Sequence, residues 1–202
     1  MTLADDILRV QEADQALQAH ATPFPLPITG LEAIVVGSLT ALQRTDWWVP
    51  GLRERAGAVL RDVGLERLSD GFAGALPYKV APPTPSPALR ALHAVGIALG
   101  SERPALVHLG IGSTSDGAFT EALNLAALTN AQVLFVVAVH PLDGEAPLGK
   151  QLVSTPSALA AAYGIPSTTV SGASAQAVHD AILAARAAGG PHLIQADLPG
   201  QA

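Results

Sequence analysis

Residues 104–139 read PALVHLGIGSTSDGAFTEALNLAALTNAQVLFVVAV. Residues 104–112 form a continuous apolar run, the pattern of a parallel strand covered on both faces. Residues 118–129 read as a helix, and residues 131–139 as a second buried strand. Between the first strand and the helix lies the turn GIGSTSDG, residues 110–117. In parallel sheets ligands bind at the carboxyl ends of strands, beside helix N-termini, so this turn stands where a pyrophosphate would sit. Three readings compete for it. A dinucleotide fingerprint needs glycine at its first, third and sixth positions, but the sixth here is Ser115, and no acidic residue closes the following strand. A turn that needs glycine for its backbone and binds nothing is the second reading. The third comes from the surrounding sequence.

Working outward, strand–helix alternation continues through a short helix at 157–164, a strand at 167–170, a helix at 175–189 and a strand at 192–198. That alternation predicts a parallel α/β sheet flanked by helices. Upstream, residues 3–20 predict a helix with a capping box between Thr2 and Asp5 and a face of Leu3, Ile7, Val10 and Leu17. Residues 21–29 hold three prolines and read as an extended connector. Residues 31–43 predict a helix apolar on most sides, hence buried on most sides. TDWWVPG at 45–51 reads as a short strand or turn. Residues 53–64 predict a helix stopped by Gly64, residues 70–87 a proline-rich loop, and residues 89–100 a helix ending at Gly100. The expected organisation is one domain over 1–202, with a helical segment and connector over 1–29 and an α/β core over 30–202.

Of the 202 residues, 49 % are hydrophobic and only 14 % charged, against about 25 % charged in an ordinary soluble domain. Such an excess of apolar surface predicts a buried subunit interface. The net charge of −6 and the lack of a Lys/Arg cluster argue against a nucleic-acid partner. No cysteine is present, which excludes disulfides, thiolate metal sites and cysteine nucleophiles. The acidic, amphipathic start is not a signal peptide. No apolar run reaches the 18 or so residues of a membrane span. A cytoplasmic protein is expected.

The wider text resembles the α subunit of the thiamin diphosphate-dependent E1 component of 2-oxo acid dehydrogenases, the pyruvate and branched-chain types. The family carries Gly-Asp-Gly-Ala, then Glu-Ala-Leu-Asn-x-Ala, then an apolar strand ending in Asn-Asn. Here Glu121-Ala122-Leu123-Asn124-Leu125-Ala126 matches the helix part nearly literally. Gly30-Leu31-Glu32-Ala33 with Val36-Gly37, Asp46-Trp47 with Pro50 and Arg53-Glu54, Ala94-Val95-Gly96-Ile97-Ala98, Ala161 to Pro166, and Gly190-Pro191 with Leu193-Ile194 follow the family's order over nearly the whole chain. The resemblance implies the thiamin diphosphate-binding fold and a diphosphate held through Mg²⁺. Its implied cofactor contacts are Arg53, Gly110, Gly112 and Ser113.

The departures matter as much. In this register Ile111 stands where the family has the aspartate that ligates Mg²⁺. Val139 and His140 stand where it has Asn-Asn, whose first residue is the second metal ligand. Leu52 replaces a tyrosine that contacts the diphosphate, and Arg55 replaces a histidine. The proline loop lacks the family's Gly-x-x-Gly wall. The loop carrying the family's catalytic histidine would follow Ala202. Mg²⁺ requires octahedral oxygen ligands; Ile111 offers none, and Val139 only its carbonyl. The expectation is an E1 α-like subunit without its own metal and diphosphate ligands, acting as a non-catalytic scaffold or regulatory partner. It would assemble with itself, with a β-like chain, or with both. The alternative is a functional α subunit that decarboxylates a 2-oxo acid together with a β-like chain. A third reading is a small-anion module using the glycine turn alone.

The remaining candidates have plainer expectations. None of His20, His93, His108, His140, His179 and His192 has a partner at metal spacing. His108 reads as a satisfied core group, and His140 as the histidine nearest the mouth of the cleft. Asp116 reads as a helix cap, and Asp143 and Glu145 as solvated loop residues. Trp47 and Trp48 must point to opposite sides, one to the core and one to an interface.

Overall fold

The computed structural model describes residues 2–19, 26–69, 75–82, 84, 86–139 and 148–199. Helix α1 (Leu3–Ala19) and helix α2 (Glu32–Ala41) precede the short strand β1 (Trp47–Val49). A 3-10 helix (Glu54–Arg61), α3 (Leu65–Ser69) and α4 (Leu89–Ser101) lead to β2 (Ala105–Gly110). Then follow α5 (Gly117–Thr129), β3 (Val133–Val139), α6 (Leu148–Gln151), α7 (Pro156–Ala162), β4 (Ser167–Ser171), α8 (Ala175–Ala188) and β5 (His192–Asp197). The five strands form one parallel sheet in the order β1-β2-β3-β5-β4.

Strand β3 is apolar along its whole length, and β2 is so except at His108, because helices cover both faces. Leu106, Leu134, Val136 and Ile194 belong to the core on the side of α2 and α8, with α1 packed against α2. Val107, Val133, Phe135 and Leu193 face α4, α5 and α7. Phe119 and Phe135 meet edge to face there, with centroids 6.4 Å apart, which adds about 0.5–1.5 kcal/mol to their burial. Strand β4 lies at the sheet edge, and its residues are half-buried or exposed. The capping box holds: Asp5 N donates to Thr2 Oγ1 and Thr2 N to Asp5 Oδ2. Helix α2 is buried on most sides, as its composition predicts; a Cβ on Gly37 would stand 2.4 Å from Ala175 O of α8.

Four expectations are corrected. Residues 53–64 form a tighter 3-10 helix that stops at Asp62, in the left-handed conformation, not at Gly64. Close packing on α2 selects this turn, since a Cβ on Gly57 would stand 2.4 Å from Val35 Cγ1. The strand expected over 104–112 ends at Gly110, and Ile111–Ser115 turn into a 3-10 helix. The hydroxyls of Thr114 and Ser115 bind the carbonyls of Ile111 and Gly112 and so support that turn. Helix α4 runs past Gly100, with Glu102 as its left-handed cap. Within the expected 70–87 loop, Leu76–Tyr78 make a 3-10 turn and Val80 bridges Trp48, which extends the sheet edge. The described part of the 21–29 connector, residues 26–29, is not helical, as its prolines require. Among the described residues no helix is long and apolar enough to cross a membrane.

Candidate functional site

A cavity of about 270 Å³ opens at the carboxyl ends of β2 and β3. Its floor is the turn after β2, with Gly110, Ile111, Gly112 and Ser113, together with Ala138 of β3. Its opposite wall comes from Leu31, Leu52, Arg53 and Glu54, with Arg90 of α4 beside them. The four residues that the resemblance marks for a cofactor, Arg53, Gly110, Gly112 and Ser113, therefore converge on one space. Gly110 is in ordinary extended conformation, and a Cβ there would meet nothing within 4 Å. A Cβ on Gly112 would come no closer than 4.0 Å to Gln151 Oε1. Among the described residues, neither backbone strain nor packing requires these two glycines. Their missing side chains leave room beside the cavity instead.

Ile111 is 4 % exposed and lines the same cavity. The carbonyl of Val139 accepts the N–H of Leu198 at 3.0 Å. Neither position supplies a free side-chain oxygen. Among the described residues no group of three His, Asp or Glu side chains could hold a metal ion. Asp116 also lines the cavity, but it caps α5 as expected: its Oδ1 accepts the Ala118 N–H at 2.8 Å. His20, His140, Asp143 and Glu145 lie outside the described residues.

Arg53 is half-buried and has no hydrogen-bond or ion-pair partner among the described residues. Glu54 and Arg90 are 7 % and 6 % exposed. Glu54 Oε2 and Arg90 Nε are buried without hydrogen-bond partners. Burial lowers the Arg90 guanidinium from its ordinary value, and the charge of Glu54 opposes that shift. Reading the sequence alone did not single out Glu54 or Arg90 as site residues. The one available signal was a lone charge inside the apolar run LRALHAVGIALG.

Asp14 Oδ1, Gln18 Nε2 and Arg55 Nε are likewise buried without hydrogen-bond partners among the described residues, whereas the polar groups around Trp48 are satisfied. Trp48, fully buried, donates Nε1–H to His108 Nδ1 at 3.0 Å. Its proton therefore sits on Nε2, which stands 3.1 Å from Ser38 Oγ. Burial, then the nearby charge of Arg90, pushes His108 down to about 3, so it is neutral near pH 7. His108 is thus the satisfied core group its strand context predicts. Trp47 is half-buried against the α4–α5 side, with Lys79 Nζ 5.0 Å from its ring centroid.

The description "Dehydrogenase E1 component" belongs to the family whose sequence model matches residues 6–197. The α subunit of 3-methyl-2-oxobutanoate dehydrogenase from Mycobacterium tuberculosis is 31 % identical over 187 residues, which cover 84 % of this chain and 51 % of that protein. The α subunit of the pyruvate dehydrogenase E1 component from Staphylococcus aureus is 32 % identical over 189 residues, 85 % of this chain and 51 % of that protein. The chain spans about half the length of these curated relatives. Among solved structures, one described as a thiamin diphosphate-dependent enzyme from Mycobacterium smegmatis superposes with a TM-score of 0.57 at 20 % identity. The match covers 85 % of this chain and 32 % of that one. At that identity the likeness speaks for the fold.

Proposed function

The chain belongs to the dehydrogenase E1 component family, and from that premise we propose that it is an E1 α-like subunit without its own metal and diphosphate ligands. On this reading it is a non-catalytic scaffold or regulatory partner in a 2-oxo acid dehydrogenase type assembly. Residues 1–202 act as one domain in the cytoplasm. The partner is a β-like chain, a second copy, or both. The observation that carries this reading is Ile111, an aliphatic side chain buried in the wall of the cavity where the resemblance calls for a magnesium ligand. A diphosphate set against it without a metal would lose solvation with little return. Arg53 is a charge-assisted donor for one anionic group, not a substitute for a metal ion.

The convergence of Arg53, Gly110, Gly112 and Ser113 favours a second reading, a functional α subunit that decarboxylates a 2-oxo acid with a β-like chain. A thermal melt separates the two. The chain is heated alone and with a β-like E1 chain, each with and without Mg²⁺ and thiamin diphosphate. A ligand that binds only the folded state adds roughly 2.7 kcal/mol at a hundredfold excess over its dissociation constant. The expected outcome is no shift in the midpoint for either preparation. A clear shift, with 2-oxo acid turnover in the mixed preparation, would establish the second reading.

A further inference from the structure

Two buried ionisable groups of opposite kind line the cavity, and among the described residues neither has a hydrogen-bond partner. Arg90 makes no hydrogen bond or ion pair among the described residues, although it is 6 % exposed. Glu54, 7 % exposed, leaves Oε2 unpaired. They stand close together without forming an ion pair. A Cβ on Gly51 would meet Arg90 Nη1 at 2.2 Å and Glu54 Oε2 at 2.3 Å. An orphaned buried polar group is costly, and few persist in native proteins without a ligand or water to satisfy them. Of the five such side-chain atoms among the described residues, only Glu54 Oε2 and Arg90 Nε belong to residues that line the cavity.

The rest of the cavity narrows the ligand. Arg53 adds a second guanidinium without a partner among the described residues, and Asp116 adds a second carboxylate at the exposed rim. Two cations and two carboxylates suit a ligand with both an acid group and a hydrogen-bond donor, not a diphosphate. An anion without a donor would satisfy Arg90 and leave Glu54 unpaired; a plain cation would do the reverse. Leu31, Leu52, Ile111 and Ala138 ask for an aliphatic body. At about 270 Å³ the cavity falls just under the ~300–1,000 Å³ of sites for drug-sized ligands.

We propose that this cavity binds a small aliphatic carboxylic acid carrying a hydrogen-bond donor, an amine or a hydroxyl, on the carbon next to the carboxylate. The carboxylate faces Arg90 and Arg53, the donor faces Glu54, and the aliphatic chain lies along Leu31, Leu52 and Ile111. The inference rests on the reading of Ile111 given above, because a magnesium diphosphate would claim the same space.

The test is isothermal titration of the full chain with four compounds of one carbon skeleton: L-leucine, its 2-hydroxy analogue, its 2-oxo analogue and the unsubstituted acid. L-leucine or the hydroxy acid should saturate the protein. The other two should bind at least about tenfold more weakly, since each leaves Glu54 without a donor. Preference for leucine assigns the amine, and preference for the hydroxy acid assigns the hydroxyl. Arg53→Gln, at a half-exposed position that folding tolerates, should weaken every ligand about tenfold. Glu54→Met, if its melt shows it folded, should erase the ranking. Absence of saturation by both donor-bearing acids in the millimolar range would overturn the proposal, as would equal or better binding of the 2-oxo or unsubstituted acid. A parallel titration with Mg²⁺ and thiamin diphosphate reads the other question: binding there counts against the dismantled metal site, while this inference is judged by the ranking of the four acids.

Discussion

Asp46 and Glu54 are both buried carboxylates on the chain segment that enters and leaves β1, and the fold treats them in opposite ways. Asp46, fully buried, accepts Nε and Nη2 of Arg186 at 2.6 and 3.1 Å and the Gln43 N–H at 2.9 Å. Its backbone carbonyl takes Nη2 of the buried Arg61 at 2.7 Å. Arg61 also donates to the carbonyls of Tyr78 and Arg44. Glu54 and Arg90 are nearly as buried but leave atoms without hydrogen-bond partners, and they line a cavity. The difference separates two uses of buried charge. A satisfied network holds elements in place, here β1 against the end of α8. An unsatisfied pair on a cavity wall is completed by something outside the chain.

Asp46→Ala should produce the largest effect, because it strands Arg186 and the Gln43 N–H. Removing one partner of a buried pair costs about 3–5 kcal/mol, read as a shift in the denaturant midpoint. A loss below about 1 kcal/mol would place the pair with ordinary surface ion pairs and erase the contrast.

Acid sharpens the same picture through His108. The unfolded chain takes up a proton at that histidine near its ordinary value of 6.5, and the folded chain only near 3. The unfolded state therefore binds more protons as pH falls below about 6.5, and stability falls with it. From pH 7 to pH 5 the loss should be about 2 kcal/mol, continuing down to about pH 3. The burial-depressed His192 acts in the same direction. His108→Gln should flatten the slope of unfolding free energy against pH; an unchanged slope would remove His108 from the account.

Replacing both orphans should have the opposite sign to Asp46→Ala. The double change Glu54→Met with Arg90→Met removes two uncompensated charges, and such exchanges are often neutral or stabilising by about 1–4 kcal/mol. We expect the lower end, near 1–2 kcal/mol, because the cavity beside them remains. A double variant destabilised as much as Asp46→Ala would show that the pair supports the fold after all. The smallest effect belongs to Asp116→Ala, which removes a helix cap on the cavity rim and should cost about 1 kcal/mol. A much larger loss in a melt would mean that Asp116 does more than cap α5.

Most of the sheet could be read from the sequence because apolar runs and glycine turns are local signals. The runs at β2 and β3, the amphipathic α1 with its Thr2–Asp5 box, and the cap at Asp116 all depend on neighbours within a few residues. The resemblance carried by Glu121 to Ala126 led to Arg53, Gly110, Gly112 and Ser113, which share one cavity. Part of what the reading missed was long-range. The 3-10 helix at Glu54–Arg61 is selected by the contact of Gly57 with Val35, across a loop and a strand.

The sequence by itself determined the alternation of strands and helices, the turn after β2 and the aliphatic residue at its centre, because each is written in consecutive residues. Only the tertiary structure decided that Arg90 and Glu54 meet at Gly51, that Asp46 clasps Arg186, and that the carbonyl of Val139 is already taken by Leu198. Burial and pairing belong to positions in space. Residues far apart in the chain acquire partners, or lose their water without gaining one, only when the sheet and its helices have closed around them.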